Sequence, residues 1–376
     1  MSDTSPEIVG DGREEPISVT DRILLTVSGT IASDLADSIS VGNRPRADFF
    51  EMALTMQADV IDYAGALAGA GPFARLLRRV AGDNALLAWT CFRRRGRYDV
   101  VVTDGEQIGI PYAALTLFSS HRRRPRHAMI VHIMSVPKKA WIFRTLQLRR
   151  RVDAMFVYSS WQRDYAINAL GMQSAAVVLT SFMVDAKFFA LDQVIPVPRR
   201  MICAAGLEFR DYDTLIAAVR GLDVELVIAA ASPWSKRSNE LGAAPLPENV
   251  TMCKLSLFDL RQLYADAMFV VMPLREVEFQ AGVTTILEAM SMSKPVVCSR
   301  TRGQTDVIID GTTGVYVPPG DAGALRRAIT SLLDDADMTT RLGKAAREWI
   351  VRNADIENYA ARFARIVEGL TADSSP

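Results

Sequence analysis

Two successive runs of alternating strand and helix patterns constrain this chain more than any other feature. In the first run, "RILLTVSG", "YDVVVTDG", "HAMIVHI", "DAMFVYSS" and "AAVVLTS" read as short apolar strands. Amphipathic stretches separate them. Pro45 opens one helical pattern, "PRADFFEMALTMQ", as proline does at a first helical turn. Ser159 or Ser160 is the expected N-cap of "WQRDYAINALG", and Gly171 its stop. Pro196 and Pro198 in "QVIPVPRRMICAAG" break regular structure. The alternation then resumes through "MICAAG", "VELVIAAAS", "NVTMCKL", "AMFVVMPL", "KPVVCSR" and "GVYVPP", and a helical tail follows. Such alternation predicts parallel sheets flanked by helices. The expected fold class is α/β, with two Rossmann-like, doubly wound domains and a cleft between the carboxyl ends of their strands, where open parallel sheets bind ligands.

A chain of 376 residues, about half of them apolar, has the length and the apolar content for two cores. The expected division is a loose acidic tail over 1–20, a first domain over 21–197 and a second over 198–355. The remainder, 356–376, is expected as a C-terminal helix packing back on the first domain. The first twenty residues lack the apolar core of a secretion signal, and no apolar run is as long as a membrane span. Cys91, Cys203, Cys253 and Cys298 are widely spaced, with no zinc-finger pairing. They read as reduced thiols of a cytoplasmic protein. The net charge of zero points to no partner class.

Chemistry concentrates in "MPLREVEFQAGVTTILEAM". A helix starting near Gly282 presents unpaired backbone N–H groups at the positive end of its dipole. The bare glycine admits a phosphate, and Thr284 and Thr285 add hydroxyl donors. Glu288, further along, is a carboxylate in an apolar helix. A pair of ribose hydroxyls would supply the donors it needs. The stretch therefore suits a nucleoside diphosphate. The plain alternative is an N-cap glycine with a glutamate paired to a nearby arginine.

From Met201 to about Val351 the chain resembles the C-terminal domain of the GT-B glycosyltransferases, in particular the large retaining family four. The resemblance runs through "CAAGLEFRDYDTLIAAV", "LPENVTMCKLSLFDLRQLYADAMFVVMPL" and "QAGVTTILEAMSMSKPVVCSRTRGQTDVIIDGTTGVYVPPGDAGALRRAI". In the first half it is weak, carried by strand order, "HAMIVHIMS" and "FMVDAKFF". It implies donor-binding roles for Arg210 on the diphosphate and for Gly282, Val283 and Thr284 at the helix start. Glu288 takes the second position of an E-x7-E motif, on the ribose. Gln280 takes the first, beside the sugar, where the family carries glutamate. His132 falls where the family has a histidine facing the donor sugar. A second basic residue of the family is Leu207 here, and its glycine-rich first loop is reduced to "SGT".

The remaining candidates come from position and charge. Asp104 and Glu106 follow a strand end facing the cleft, where either can orient an acceptor hydroxyl or act as its base; a turn aspartate and a helix-start glutamate are the plain alternative. His132 is the third catalytic candidate, against an ordinary packed histidine. Trp234, Lys236 and Arg237 can reach a nucleotide or form an exposed loop. Between Ala70 and Val152 there are seventeen Lys and Arg against four Asp and Glu, a local charge of +13. The segment "KKAWIFRTLQLRRR" interleaves these with Trp141, Ile142, Phe143, Leu146 and Leu148. It is expected to lie on an anionic membrane surface, with an anionic acceptor or a solvated face as alternatives. No nucleic-acid module is present.

The expectation is a glycosyltransferase that moves a sugar from a nucleotide diphosphate sugar to an acceptor hydroxyl with retention. It would need no metal or cofactor and work in the cytoplasm or on the inner face of the membrane, with a lipid-linked acceptor among the expectations. A nucleotide-sugar epimerase of the same fold and a catalytically silent sugar-nucleotide binder are the alternatives; sugar transfer to a separate acceptor excludes both.

Overall fold

A computed structural model describes residues 22–119, 124–229 and 246–372. The tail over 1–20 and the Trp234–Arg237 loop lie outside the described residues.

The first sheet contains β1 (Ile23–Thr26), β2 (Asp59–Ile61), β3 (Val100–Thr103), β4 (Arg126–Ile130), β5 (Ala154–Val157) and β6 (Val177–Leu179). Its order is β2-β1-β3-β4-β5-β6, with every pairing parallel. The second contains β7 (Met201–Ala205), β8 (Glu225–Ala229), β9 (Val250–Cys253), β10 (Val270–Met272), β11 (Val296–Ser299) and β12 (Gly314–Val317). Its order is β12-β11-β10-β7-β8-β9, again all parallel. The two sheets, each wrapped by helices, make the two-domain GT-B architecture. The strands are near-continuous runs of Val, Ile, Leu and Ala because both faces of each sheet are covered.

The order in which strands are added reverses between β1 and β3 in one sheet and between β7 and β10 in the other. At such switch points adjacent loops part and leave a crevice beyond the strand ends. The loops after β1 and β3 carry Ser28 and Asp104; those after β7 and β10 carry Arg210 and the approach to Gly282.

One local expectation shifts, and one strand goes unread in the sequence. The first-domain helix begins at Asp48, not Pro45, because Arg46 N donates to Asp185 Oδ2 at 2.9 Å and holds Ala47 extended. Strand β2, only three residues long, is too short for a periodic signal. Ser159 does cap its helix, accepting from Gln162 N, and Gly171 follows with φ 71°. Cys91, Cys203 and Cys298 are buried free thiols, and Cys253 is partly buried; Cys91 sits on a helix.

The chain crosses between the domains twice, side by side. Val184 N donates to Ala354 O at 2.9 Å, and Ile356 N to Val184 O at 3.0 Å. Arg46 clamps both crossings through Asp185 at 2.9 Å and Glu357 at 2.7 Å. The last helix, Ile356–Ala372, then packs Ile356, Tyr359, Phe363 and Val367 into the core of the first domain, with Phe363 stacked on Phe156 at 4.1 Å.

Candidate functional site

The second-domain half of the site grows from two glycines. Gly282 caps the helix Val283–Ser291 with φ 73°, a left-handed conformation natural to glycine. Among the described residues no side chain caps this helix, so its first N–H groups keep their capacity to bind an anion. Gly206, after β7, has φ 90°. A Cβ there would come within 2.5 Å of Arg210 Nη2, and one on Gly282 within 3.1 Å of the same atom. The Arg210 guanidinium thus lies in a slot that only two glycines leave open. It donates to Ala205 O at 3.0 Å and Glu208 O at 2.7 Å, which fixes its direction. Burial lowers its pKa, so an anion beside the cation would be favoured. The residue before it, Phe209, has φ 58°, a costly conformation for a bulky side chain.

Glu288 Oε2 accepts from the Tyr264 hydroxyl at 2.9 Å. The partner is therefore a tyrosine, not the arginine of the plain alternative. Burial raises the Glu288 carboxyl to about 7, against the lowering pull of Tyr264 and Arg210. Gln280 is 8% exposed, and its Oε1 is buried with no hydrogen-bond partner among the described residues. An unsatisfied buried acceptor costs about 1–3 kcal/mol unless a donor arrives. Its loop is rigidly braced: Gln304 Nε2 donates to Ala281 O at 3.1 Å, and Gly303 lies so close to Phe279 that a Cβ would sit 2.2 Å from its nitrogen. Thr284 is exposed at the helix start and Val283 is buried beneath it.

In the first domain, Asp104 is held by Ser28 of the "SGT" loop, whose Oγ and N donate to its Oδ2 at 2.9 and 3.2 Å. His132 Nε2 lies 3.7 Å from Asp104 Oδ1, and its ring stacks on Tyr158 at 5.8 Å. Burial pushes the Asp104 carboxyl up, but His132 and Ser28 outweigh it and the net shift is downward. Burial likewise pulls His132 down, and Asp104 reverses the shift, leaving the imidazole raised. Asp48 also feels this pair: burial, then the Asp104 charge, lift its carboxyl to about 6.

Glu106 does not fit the base role considered for it. It is 2% exposed, and its oxygens accept from His132 N at 2.9 Å, Ile133 N at 3.3 Å and Lys139 Nζ at 2.6 Å. It positions the backbone that carries His132. Lys139, read from sequence as part of a membrane-facing run, is its counterion. Phe143 and Leu148 of that run are fully buried in the first domain, leaving Trp141 and Leu146 as its exposed apolar residues.

The halves face each other. Glu278, two residues before Gln280, lines a small pocket with Val131 and Met134 on either side of His132 and with Gln162. Gln162 Nε2 donates to His132 O, and Ser160 N donates to Asp306 Oδ2 across the cleft at 3.2 Å. Sequence reasoning missed Tyr264, Gln304 and Asp48. Tyr264 stood in a quoted motif without a role, and nothing local marks Gln304.

Residues 199–335 match the family described as Glycosyl transferases group 1. Among curated relatives, an alpha-D-kanosaminyltransferase of Streptomyces kanamyceticus is 31% identical over 149 residues, covering 39% of this chain and 38% of the relative. A GDP-mannose-dependent alpha-(1-6)-phosphatidylinositol monomannoside mannosyltransferase of Mycolicibacterium smegmatis is 28% identical over 184 residues, covering 45% and 47%. The matches thus span less than half the length of these two relatives. Among solved structures, sucrose-phosphate synthase of Thermosynechococcus elongatus superposes with a TM-score of 0.68 at 17% identity, covering 94% of this chain and 100% of that one. The Anabaena HepE protein in complex with UDP-glucose gives 0.66 at 16% identity, covering 93% and 99%. These likenesses bear on the fold.

Proposed function

We propose that this chain, a two-domain GT-B protein whose second domain belongs to the glycosyl transferases group 1 family, moves a sugar from a nucleotide diphosphate sugar to an acceptor hydroxyl. The observation that carries the reading is the Gly282 helix start, uncapped and open, with Arg210 laid against it through two glycines. In the reaction the bond between the anomeric carbon and the diphosphate breaks, and negative charge grows on the departing phosphate. The helix N–H groups and Arg210 meet that charge already oriented, so little reorganisation is needed. Glu288 holds the ribose. Gln280 offers its unpaired Oε1 to a sugar hydroxyl. As an amide it carries no charge, so it orients the sugar without acting as a base.

On the first-domain side, His132 and Asp104 face the acceptor. The raised imidazole suits a group that carries a proton near the transferred sugar and releases it as pH climbs. We assign retention at the anomeric carbon, on the likeness of the Gly282 region to the retaining family. The positive charge is supplied by Arg210 and the helix, so the reaction in this reading requires no metal; transfer should survive chelation of divalent ions.

We place the protein in the cytoplasm, at the inner face of the membrane, with a lipid-linked acceptor. Its support is the basic first domain and the phosphatidylinositol monomannoside named for the Mycolicibacterium relative. Among the described residues no helix is long and apolar enough to cross a membrane.

The test is a thermal-shift screen of nucleotide sugars and their bare diphosphates, followed by transfer assays with the donors that bind. A ligand that binds only the folded state raises its melting temperature. Absence of any shift across uridine, guanosine and adenosine diphosphate sugars would overturn the reading.

A further inference from the structure

The helix Pro72–Arg94 is two helices in one. Gly82, with φ 84° and ψ 179°, breaks it, and Arg78 Nε bonds Asp83 Oδ1 at 2.6 Å across the break. The second half carries Leu86, Leu87, Ala88 and Cys91 in the core. The first half, Pro72 to Ala81, touches the body through Ala74, and through Phe73, whose ring lies 5.1 Å from that of Trp89. Leu77 is half-buried, whereas Phe73 is 61% exposed in spite of that contact, Leu76 60% and Val80 78%. At about 100° per residue these three fall within an arc of about 60° on the helix. Arg79 borders that arc, and Arg75 and Arg78 continue round the polar side. No acidic residue occurs from Ala70 to Gly82.

We infer that the Pro72–Ala81 helix is the element by which this protein docks on an anionic lipid bilayer. An in-plane amphipathic helix needs an apolar arc to enter the acyl boundary and arginines whose stems run along it to reach headgroup phosphates. Both are present and exposed. Charge complementarity selects the occupant. The stretch from Ala70 to Val152, to which this helix belongs, carries +13 and the rest of the chain −13, so an anionic surface attracts this part of the chain and not the rest. A second copy of the helix would bring arginines against arginines. The inference replaces "WIFRTLQL" as the membrane segment, since Phe143 lies inside the domain. It depends on no step of sugar transfer.

The full chain is sedimented with phosphatidylcholine vesicles and with vesicles containing phosphatidylglycerol, at low and high salt. The wild type should bind the anionic vesicles, and binding should weaken with salt without vanishing, because Phe73, Leu76 and Val80 add an apolar part. Substituting Arg75, Arg78 and Arg79 together by Gln should weaken it by roughly tenfold to a hundredfold. Phe73→Ser, Leu76→Ser and Val80→Ser together should abolish the salt-resistant part. Val80→Glu, one change at the most exposed position, should weaken binding if the triple variants fold poorly. Nucleoside diphosphate should shift the melting temperature of every variant as in the wild type, which separates this surface from the donor site. The inference is overturned by wild-type indifference to anionic vesicles, or by variants that bind them as the wild type does. It is equally overturned if light scattering shows a dimer that Val80→Glu dissociates, since the face would then be a self-interface.

Discussion

Glu288 shows how a single carboxylate reports its own purpose. It sits in a largely buried and mostly apolar helix, with Tyr264 on one oxygen, and burial lifts its pKa from 4.5 to about 7. A folded-state pKa raised above the unfolded value means that the native protein holds a proton which the unfolded chain has released. The contribution to stability is therefore fully present below about pH 4.5 and is lost as pH rises to about 7. Melting curves across that range should show this fall in the wild type, and Glu288→Gln should remove its part of it. The same variant should weaken nucleoside diphosphate binding by about 1–3 kcal/mol, measured by calorimetry. Equal affinity in both proteins would end the ribose assignment. Gln280 makes a separate claim. Gln280→Ala should lower turnover with an intact donor and leave binding of the bare diphosphate nearly unchanged. A diphosphate that loses as much affinity as the nucleotide sugar would place Gln280 elsewhere. The oddity of Glu288 and of the Gly282 start could be read from sequence because each breaks a local pattern. Tyr264 and Gln304 could not, since a tyrosine or glutamine on an ordinary amphipathic element breaks nothing.

At the scale of elements, the loops after β7 and β10 act together through what they omit. Gly206 and Gly282 approach Arg210 from two loops far apart in sequence, and a methyl group on either intrudes on the guanidinium. Gly206→Ala adds that methyl and also forces alanine to φ 90°, which should cost about 1–3 kcal/mol of stability. The sharper expectation concerns binding. Displacing Arg210 should reduce diphosphate affinity about as much as Arg210→Ala does, while the Pro72–Ala81 helix and Glu106 remain in place. Calorimetry on the two variants decides it; intact affinity in Gly206→Ala would mean that Arg210 tolerates movement. The elements themselves were legible because buried parallel strands are near-continuous apolar runs punctuated by Gly and Pro. Which charged residue faces inward was not. Lys139 and Phe143 belong to one basic, aromatic run, and only the packing of its helix separates a counterion of Glu106 and a core ring from exposed Trp141.

For the molecule as a whole, the two sheets follow from alternation, and their switch points put Ser28 and Asp104 opposite Arg210 and Gly282. Long-range closure is the part a linear reading reaches least. The clamp of Arg46 on Asp185 and Glu357 joins residues more than a hundred positions apart, and no periodicity announces it. Ending the chain after Ala354 removes Tyr359, Phe363 and Val367 from the first core. Losing one buried aromatic costs about 3–5 kcal/mol, and a domain is stable by only about 5–15 kcal/mol. The shortened chain should therefore keep a folded second domain that still binds nucleoside diphosphate, beside a first domain that does not melt cooperatively. Calorimetry and limited proteolysis can show this, and a single transition at the wild-type temperature would contradict it.

The returning helix also sets a clock during synthesis. The last strand of the first sheet ends at Leu179, and the last fully buried side chain of its core is Val367, 188 residues later. At about 5–20 residues per second, a ribosome needs about 10–40 s to cover that distance. Throughout this interval the second domain is still being made, and the face of the first sheet that Met52 and Met56 line lacks its last helix. Its maturation is thus deferred until that helix is made, and a holding chaperone would have that long to find it.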